Sequence, residues 1–313
     1  MLISVALCTY NGGKYLKTQL DSIALQSQPP DELVICDDGS KDDTEAVVGD
    51  FARSAPFPVV FIRNERNLGS TKNFEKAILH CRGELIALCD QDDVWLPHKL
   101  EKLTAVIQSD PGIGGAFSNA LLIDGQGKAL RSTIWEQVEY SPKSDTLGQQ
   151  TLLRHNVVTG ATLIFRSALR SAILPIPALW IHDGWIAWML VLYARLVPVS
   201  EPLVKYRVYS NQQVGVPMNT SVWKRFARAR KAASGPQLLL AKQFQELLEF
   251  WEEHSGGDDR GLLEEFTGKV HHSNLRATLP ASRLMRAQQI FRNVRGYRRY
   301  SLGVITMAKD LLR

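Results

Sequence analysis

Along the first third of the chain, short apolar runs alternate with segments whose apolar residues recur every three or four positions. Leu2 to Leu7 is apolar apart from Ser4 and suits a buried strand, and Leu16, Leu20 and Ile23 follow at helical spacing. The alternation then repeats. Strand patterns over Leu33 to Cys36, Val59 to Ile62 and Leu85 to Leu88 are separated by helical ones. Those helices cover Thr44 to Phe51, the stretch through Phe74, Ala77, Ile78 and Cys81, and the stretch through Leu100, Leu103 and Ile107. Strands alternating with helices imply βαβ units and a mostly parallel sheet. Beyond Gly114 the pattern is mixed: a strand over Ala116 to Ile123 ending in an Asp124-Gly125 turn, a strand over Val157 to Phe165, and a helix over Gly184 to Tyr193. After about Asn211 only long helical patterns remain. The expected boundary is near Val216-Pro217, giving a catalytic domain over 1–215 and a helical region over 216–313, with a loop between helices at 255–259.

Polar clusters sit just after the first four strands: Thr9-Tyr10-Asn11, Asp37-Asp38-Gly39-Ser40, Asn64 to Gly69, and Asp90-Gln91-Asp92-Asp93. In an open α/β sheet the ligand crevice lies at the carboxyl ends of the strands, so four such clusters point to one shared site.

Length and composition narrow the class. A chain of 313 residues with 45% hydrophobic and 22% charged residues suits one large globular domain with a smaller appendage. The longest apolar stretch, Gly184 to Ala194, is bounded by Asp183 and Arg195 and is shorter than the roughly 20 residues that span a bilayer. It reads as a buried helix. Met1 leads almost directly into the first strand pattern, with no basic segment or cleavage site of a signal peptide. Cys8, Cys36, Cys81 and Cys89 form no CxxC pair, which favours buried reduced thiols and a cytoplasmic setting over zinc or disulfides. Charge is uneven: residues 1–210 hold 20 Lys/Arg against 23 Asp/Glu, and residues 211–313 hold 17 against 9. The two parts therefore suit different partners.

Asp90 and Asp92 follow a strand with one residue between them, so both carboxylates can face one way. Such a pair suits Mg²⁺ or Mn²⁺, which contacts phosphate oxygens and neutralises a diphosphate leaving group. An acidic turn capping the next helix would look the same. Asp37 to Ser40 serves equally as a turn and N-cap or as a contact to a base or ribose, and Asn67-Leu68-Gly69 as a turn or a phosphate approach. Asp183 stands at the start of the apolar helix, as an N-cap or as a general base taking a proton from an acceptor hydroxyl. His182 is a second candidate beside it. Trp185 and Trp188 read as core, and Trp95 as a wall of the sugar site.

Leu7-Cys8-Thr9-Tyr10-Asn11-Gly12, Asp37-Asp38-Gly39-Ser40, Asn67-Leu68-Gly69, Asp90-Gln91-Asp92-Asp93-Val94-Trp95 and His182-Asp183 occur in this order. The series resembles the inverting glycosyltransferases of family two, with the GT-A nucleotide-diphospho-sugar transferase fold, and covers roughly residues 2–215. Asp-Gln-Asp-Asp-Val-Trp, together with Gly160-Ala161-Thr162 and Tyr206-Arg207, is most similar to a rhamnosyltransferase-like branch that builds bacterial surface polysaccharides from dTDP-rhamnose. The resemblance implies nucleotide contacts from Thr9, Tyr10, Asn11, Asp38, Asn67, Gly69 and Asp90, with Asp38 at the base. It implies a metal at Asp90 and Asp92, with Asp92 the more direct ligand, and Asp183 as general base. The branch often has histidine where this chain has Tyr209, which makes Arg207 the better diphosphate partner.

Two other classes share parts of this pattern. A nucleotidyltransferase usually carries a Gly-rich basic segment by its first strand, which Thr9 to Lys14 fits poorly. A non-catalytic nucleotide-sugar binder would have no use for both Asp92 and Asp183. In the basic region, six arginines and no acidic residue lie between Arg283 and Arg299, and Leu284, Ala287, Phe291 and Val294 fall at helical spacing, flanked by Arg292, Arg295 and Arg299. This is either an amphipathic helix docked on the catalytic domain or an interfacial helix on anionic lipid near a lipid-linked acceptor. No aromatic stacking series accompanies the arginines, so nucleic acid is not an expected partner.

Overall fold

The computed structural model describes residues 1–209, 235–254 and 259–312. The expected boundary at Val216-Pro217 and most of the expected loop at 255–259 lie outside the described residues. Among the described residues nine strands form one sheet: β1 (Ile3–Thr9), β2 (Glu32–Asp37), β3 (Val59–Arg63), β4 (Leu85–Asp90), β5 (Val94–Trp95), β6 (Ile113–Ile123), β7 (Ala129–Thr133), β8 (Leu163–Arg166) and β9 (Arg195–Arg207). Their order is β3-β2-β1-β4-β8-β6-β9-β5, with β7 paired to β6. The half from β3 to β4 is wholly parallel. β8 runs antiparallel to both β4 and β6, and β9 returns parallel to β6.

The helices of the parallel half follow the apolar spacing closely. Helix α1 (Gly13–Ala24) buries Leu16, Gln19, Leu20 and Ile23, and α3 (Ser70–His80) buries Asn73, Phe74, Ala77 and Ile78. Helices α2 (Thr44–Ala52) and α4 (Lys99–Gln108) complete that set. Shorter helices follow: α5 (Ile134–Gln137), α6 (Gln149–Arg154) and α7 (Arg170–Ile173). Helix α8 (His182–Tyr193) is apolar on nearly every face and buried to match, with Trp185 and Trp188 at 1% and 2% exposure. The Trp185 indole N–H donates to the Ile173 carbonyl at 2.7 Å, so this core ring keeps its polar end satisfied. All four cysteines are free and buried, and among the described residues no helix is long and apolar enough to cross a membrane.

One expected strand begins later than its pattern, and one strand had no pattern to announce it. The strand expected over Val157 to Phe165 begins only at Leu163; before it, Gly160–Thr162 forms a 3₁₀ turn. The Thr162 N–H and hydroxyl both donate to the Thr159 carbonyl, at 2.9 and 2.8 Å, and this local closure overrides the apolar run. β9 escaped the hydrophobic pattern because Pro198 and Pro202 interrupt it. Those prolines pair opposite Phe117 and Asn119, and the ladder shifts register on either side of Asn119, which accommodates residues that cannot donate.

The described chain divides into two compact units. The first contains Met1–Leu147, Val157–Ile176 and residues 180–209; the second contains Gly148–Asn156, Pro177–Leu179 and the C-terminal helices. Those helices are Gly235–His254, Arg260–Ala277, Arg283–Arg292, Val294–Tyr300 and Val304–Leu311. The apolar stripe expected through Leu284 and Phe291 is reversed. Leu284 is 82% and Phe291 63% exposed, whereas Arg286, Ile290 and Tyr297 face inward, with Val294 packed beside the last two. Arg286 can be buried because its guanidinium donates to the carbonyls of Pro280 and Ala281, at 2.8 and 2.7 Å, leaving its stem to pack.

Candidate active site

The crossovers of the parallel half bring the ends of β1, β2 and β4 side by side, with Cys8 opposite both Cys36 and Asp90. The chain leaves β1 through Asn11 at φ 50°, a left-handed conformation that asparagine tolerates better than most residues. The turn is tied on both sides: the Asn11 N–H donates to Ser40 Oγ at 2.8 Å, and Asn11 Oδ1 accepts from the Lys41 N–H at 2.9 Å. Ser40 is held in turn by the buried Asp37 carboxylate, which accepts from its N–H and hydroxyl.

Asp38 organises the neighbouring loop. Its Oδ1 accepts from the Leu68 N–H at 2.7 Å and from Asn64 Nδ2 at 2.9 Å, and its Oδ2 accepts from the Gly69 N–H at 2.9 Å. Asn67 donates to the Asp38 carbonyl at 3.4 Å, and Gly69 enters α3 at φ 80°. The structure thus brings Asp38, Asn67 and Gly69 together.

The Asp90 to Asp93 turn is fastened at three points. Gln91 Oε1 accepts from Thr9 Oγ1 at 2.7 Å and from the Tyr10 N–H at 2.8 Å, joining the ends of β1 and β4. Gly12 is required beneath that bridge, since a Cβ there would lie 2.3 Å from Gln91 Oε1. Arg207 donates from Nε to the Asp92 carbonyl at 2.7 Å and from its N–H to Asp93 Oδ1 at 2.9 Å. Tyr209 donates its hydroxyl to Asp92 Oδ2 at 2.7 Å. Arg207, 4% exposed, lies over the Tyr15 ring at 4.4 Å and also donates to the Asp124 carbonyl at 3.1 Å. In this arrangement Arg207 braces the acidic turn from behind. Trp95 is likewise no open wall: it is 2% exposed, and the Lys99 ammonium lies 3.3 Å from its ring centroid.

Negative charge is crowded here. Burial, then the charges of Asp92 and Asp183, push the Asp90 carboxyl up to about 7. Burial raises Asp92 against the opposing Tyr209 hydrogen bond and Arg207 charge, and it holds Asp93 well above the carboxylate range with help from Asp92 and Asp90. Among the described residues no three or more His, Cys, Asp or Glu side chains enclose a metal ion. The donor set nevertheless fits a hard divalent cation. Asp90 and Asp92 offer oxygen ligands whose shared negative charge a cation would relieve, and further oxygens can come from phosphate and water.

Asp183 reaches this cluster from α8. Burial raises its carboxyl to about 6, against the opposing effect of the backbone N–H groups of Gly184 and Gly160. His182 stacks on Phe74 at 4.0 Å between centroids, is held neutral by burial at about 3, and neither ring nitrogen has a hydrogen-bond partner among the described residues. Gly160 lies against it so closely that a Cβ would fall 2.7 Å from His182 Nε2. Gln91, Asn64, Tyr15 and Lys99 were not among the sequence candidates. Gln91 and Asn64 carried a signal, since they stand within the polar clusters after the fourth and third strands.

Residues 4–172, more than half of the chain, match glycosyl transferase family 2. The chain belongs to this family. An uncharacterized glycosyltransferase of a Nostoc species is 30% identical over 212 residues, 67% of this chain and 65% of that protein. One of Methanocaldococcus jannaschii is 33% identical over 141 residues, 44% of this chain and 48% of that one. The chain thus spans less than two thirds of the length of these relatives. Staphylococcus aureus TarS (residues 1–349) in complex with UDP-GlcNAc has a similar fold, with a TM-score of 0.57 at 19% identity over 99% of this chain and 88% of that one. A Pyrobaculum calidifontis mannosyltransferase in complex with GDP-Man and Mn²⁺ gives 0.51 at 16% identity, over 99% and 85%. Together these establish the GT-A-type α/β fold for the family 2 domain.

Proposed function

We propose that this family 2 chain transfers a sugar, with inversion, from a nucleotide-diphospho-sugar to a hydroxyl of a saccharide or lipid-linked saccharide. One observation carries the reading: Asp183 packs against Gly160, whose turn packs on β4, the strand that ends in Asp90, although 92 residues lie between the two aspartates in the chain. A candidate base and a candidate metal pair thus share one site. In the proposed step the acceptor oxygen attacks the anomeric carbon, the bond from that carbon to the diphosphate breaks, and the hydroxyl proton passes to Asp183. At about 6, Asp183 is mostly ionised at neutral pH yet basic enough to take that proton.

Asp90 and Asp92 would hold Mg²⁺ or Mn²⁺, which when bound supplies positive charge against the departing diphosphate. Thr9, Tyr10, Asn11, Asp38, Asn67 and Gly69 form the nucleotide side, with Asp38 acting largely through the loop it organises. Arg207 serves the diphosphate side by bracing the Asp92 turn. The motif resemblance supports dTDP-rhamnose as donor and bacterial surface polysaccharide synthesis as the setting, with residues 1–215 as catalytic domain. TarS in complex with UDP-GlcNAc and the mannosyltransferase in complex with GDP-Man support a nucleotide sugar as the donor class. The exposed Leu284, Met285 and Phe291 beside Arg283 and Arg292 support peripheral contact with anionic lipid at the inner face of the membrane.

The test is incubation with dTDP-rhamnose, UDP-GlcNAc and GDP-mannose over an acceptor panel, with and without EDTA. Release of nucleoside diphosphate that EDTA abolishes, with an inverted product by NMR, is expected. Release of pyrophosphate, or a product of retained configuration, would overturn the mechanism; preference for UDP-GlcNAc would overturn the rhamnosyl donor alone.

A further inference from the structure

Lys99 is a lysine buried beside the acidic turn. It lies in the first turn of α4, is 0% exposed, and sits near Cys89, Asp93 and Asp90. A buried ammonium costs far more than a leucine or methionine of similar volume unless its protons are used. Among the described residues it has one hydrogen bond, from Nζ to the Ala161 carbonyl at 2.8 Å, and one ring contact, to Trp95 at 3.3 Å.

Ala161 is the middle residue of the 3₁₀ turn Gly160–Thr162. The residue before it, Gly160, lies against Asp183, since a Cβ there would fall 3.7 Å from Asp183 Cβ, and its backbone N–H favours the ionised Asp183 carboxylate. Gly160 also abuts His182, with no room for a Cβ. Thr162 closes the turn on Thr159, which leaves the Ala161 carbonyl free to point at Lys99. One short turn therefore connects the buried cation on one side to the Asp183 carboxylate on the other.

We infer that Lys99 is a positioning residue: through the Ala161 carbonyl it fixes the Gly160–Thr162 turn, and the turn, packed against Asp183 at Gly160, aims the Asp183 carboxylate at the acceptor oxygen. This rests on the reading of Asp183 as the base. Lys99 touches neither donor nor acceptor in this scheme, so its loss acts on the chemical step rather than on nucleotide binding. Displacing a catalytic group by about 1 Å can cost on the order of 10²-fold, which bounds the expected effect.

The experiment is a double-mutant cycle in the full chain. Nucleoside diphosphate release is followed with whichever of dTDP-rhamnose, UDP-GlcNAc and GDP-mannose the unmodified chain turns over, and affinity for the corresponding free nucleoside diphosphate is measured by calorimetry. Lys99→Met should lower kcat about 10- to 100-fold with nucleotide Kd changed less than twofold. Lys99→Arg, which can still donate to the carbonyl, should recover part of the loss. In an Asp183→Asn background Lys99→Met should cost nothing further. An equal loss in both backgrounds, or a parallel fall in nucleotide affinity, would overturn the assignment. Gly160→Ala crowds the same turn without touching Lys99 and should show the same lack of additivity; additivity there would overturn the assignment even where Lys99→Met fails to fold. Full activity of Asp183→Asn would instead sink the base reading itself.

Discussion

The acidic cluster at the strand ends and the basic C-terminal helices carry opposite charge under opposite conditions. Asp90, Asp92, Asp93 and Asp183 lie within the first unit, where burial pushes each carboxyl upward and neighbouring carboxylates push Asp90 and Asp93 further. In the second unit, Arg283, Arg292, Arg295, Arg298 and Arg299 stand exposed. Of its buried charges, Arg276 meets Asp310 at 2.7 Å, with the Tyr297 hydroxyl donating to the same carboxylate at 2.9 Å, while Lys269 and Arg286 donate to backbone carbonyls. Unmatched buried charge is destabilising and persists where chemistry uses it; exposed charge costs little and persists for solubility or for a surface partner. The contrast separates a site from a face.

Replacing the base tests the comparison hardest. Asp183→Asn is expected to lower kcat by about 10²–10⁴-fold with donor affinity nearly intact, and Asp92→Ala to abolish the response to Mn²⁺ while the fold survives. The activity of the unmodified chain should rise with pH through about 6 as Asp183 ionises. A flat profile from pH 5 to 8 would remove Asp183 from the chemistry.

In the second unit the inward stripe should carry stability and the outward one none. Ile290→Ala, at a site with 0% exposure, is expected to cost about 2–5 kcal/mol, and Leu284→Ala less than about 0.5 kcal/mol, in urea titration. Equal costs would mean the helix faces the other way.

A thermal measurement reads the acidic cluster independently of turnover. Because the folded Asp90 pKa is raised from 3.8 to about 7, its destabilisation is absent below about 4, grows with pH, and is complete above 7. Mn²⁺ should therefore raise Tm by a few degrees at pH 8 and by less at pH 5, where protons already neutralise the site. A larger rise at pH 5 would contradict the assignment of the metal pair.

The smallest effect belongs to the exposed face. Co-sedimentation with anionic vesicles should weaken when Leu284 and Phe291 are both changed to Ser, and weaken again in high salt, since each basic residue near such a surface contributes about 1 kcal/mol. Binding that ignores both changes would leave the arginines as a solvated surface.

The parallel half was legible in the sequence because its signals are local. Leu16, Leu20 and Ile23, or Phe74, Ala77 and Ile78, report their buried face through spacing alone. Polar clusters at strand ends report a crevice through the rule that such ends converge. Asp90, Asp92 and Asp183 were nameable as candidates, and so was the family. Tertiary structure decided what depends on partners distant in the chain. It gave Asp38 to the loop at 67–69, Arg207 to the carbonyls of Asp92 and Asp124, and Lys99 to Ala161. It made a strand of Arg195–Arg207 despite two prolines, because the facing strand could shift register. It also turned Arg286 inward and Leu284 outward, against hydrophobicity, because two carbonyls were there to receive the guanidinium. Spacing encodes which face of an element is apolar, whereas the fate of a polar group depends on whether a hydrogen-bond partner waits where it is buried.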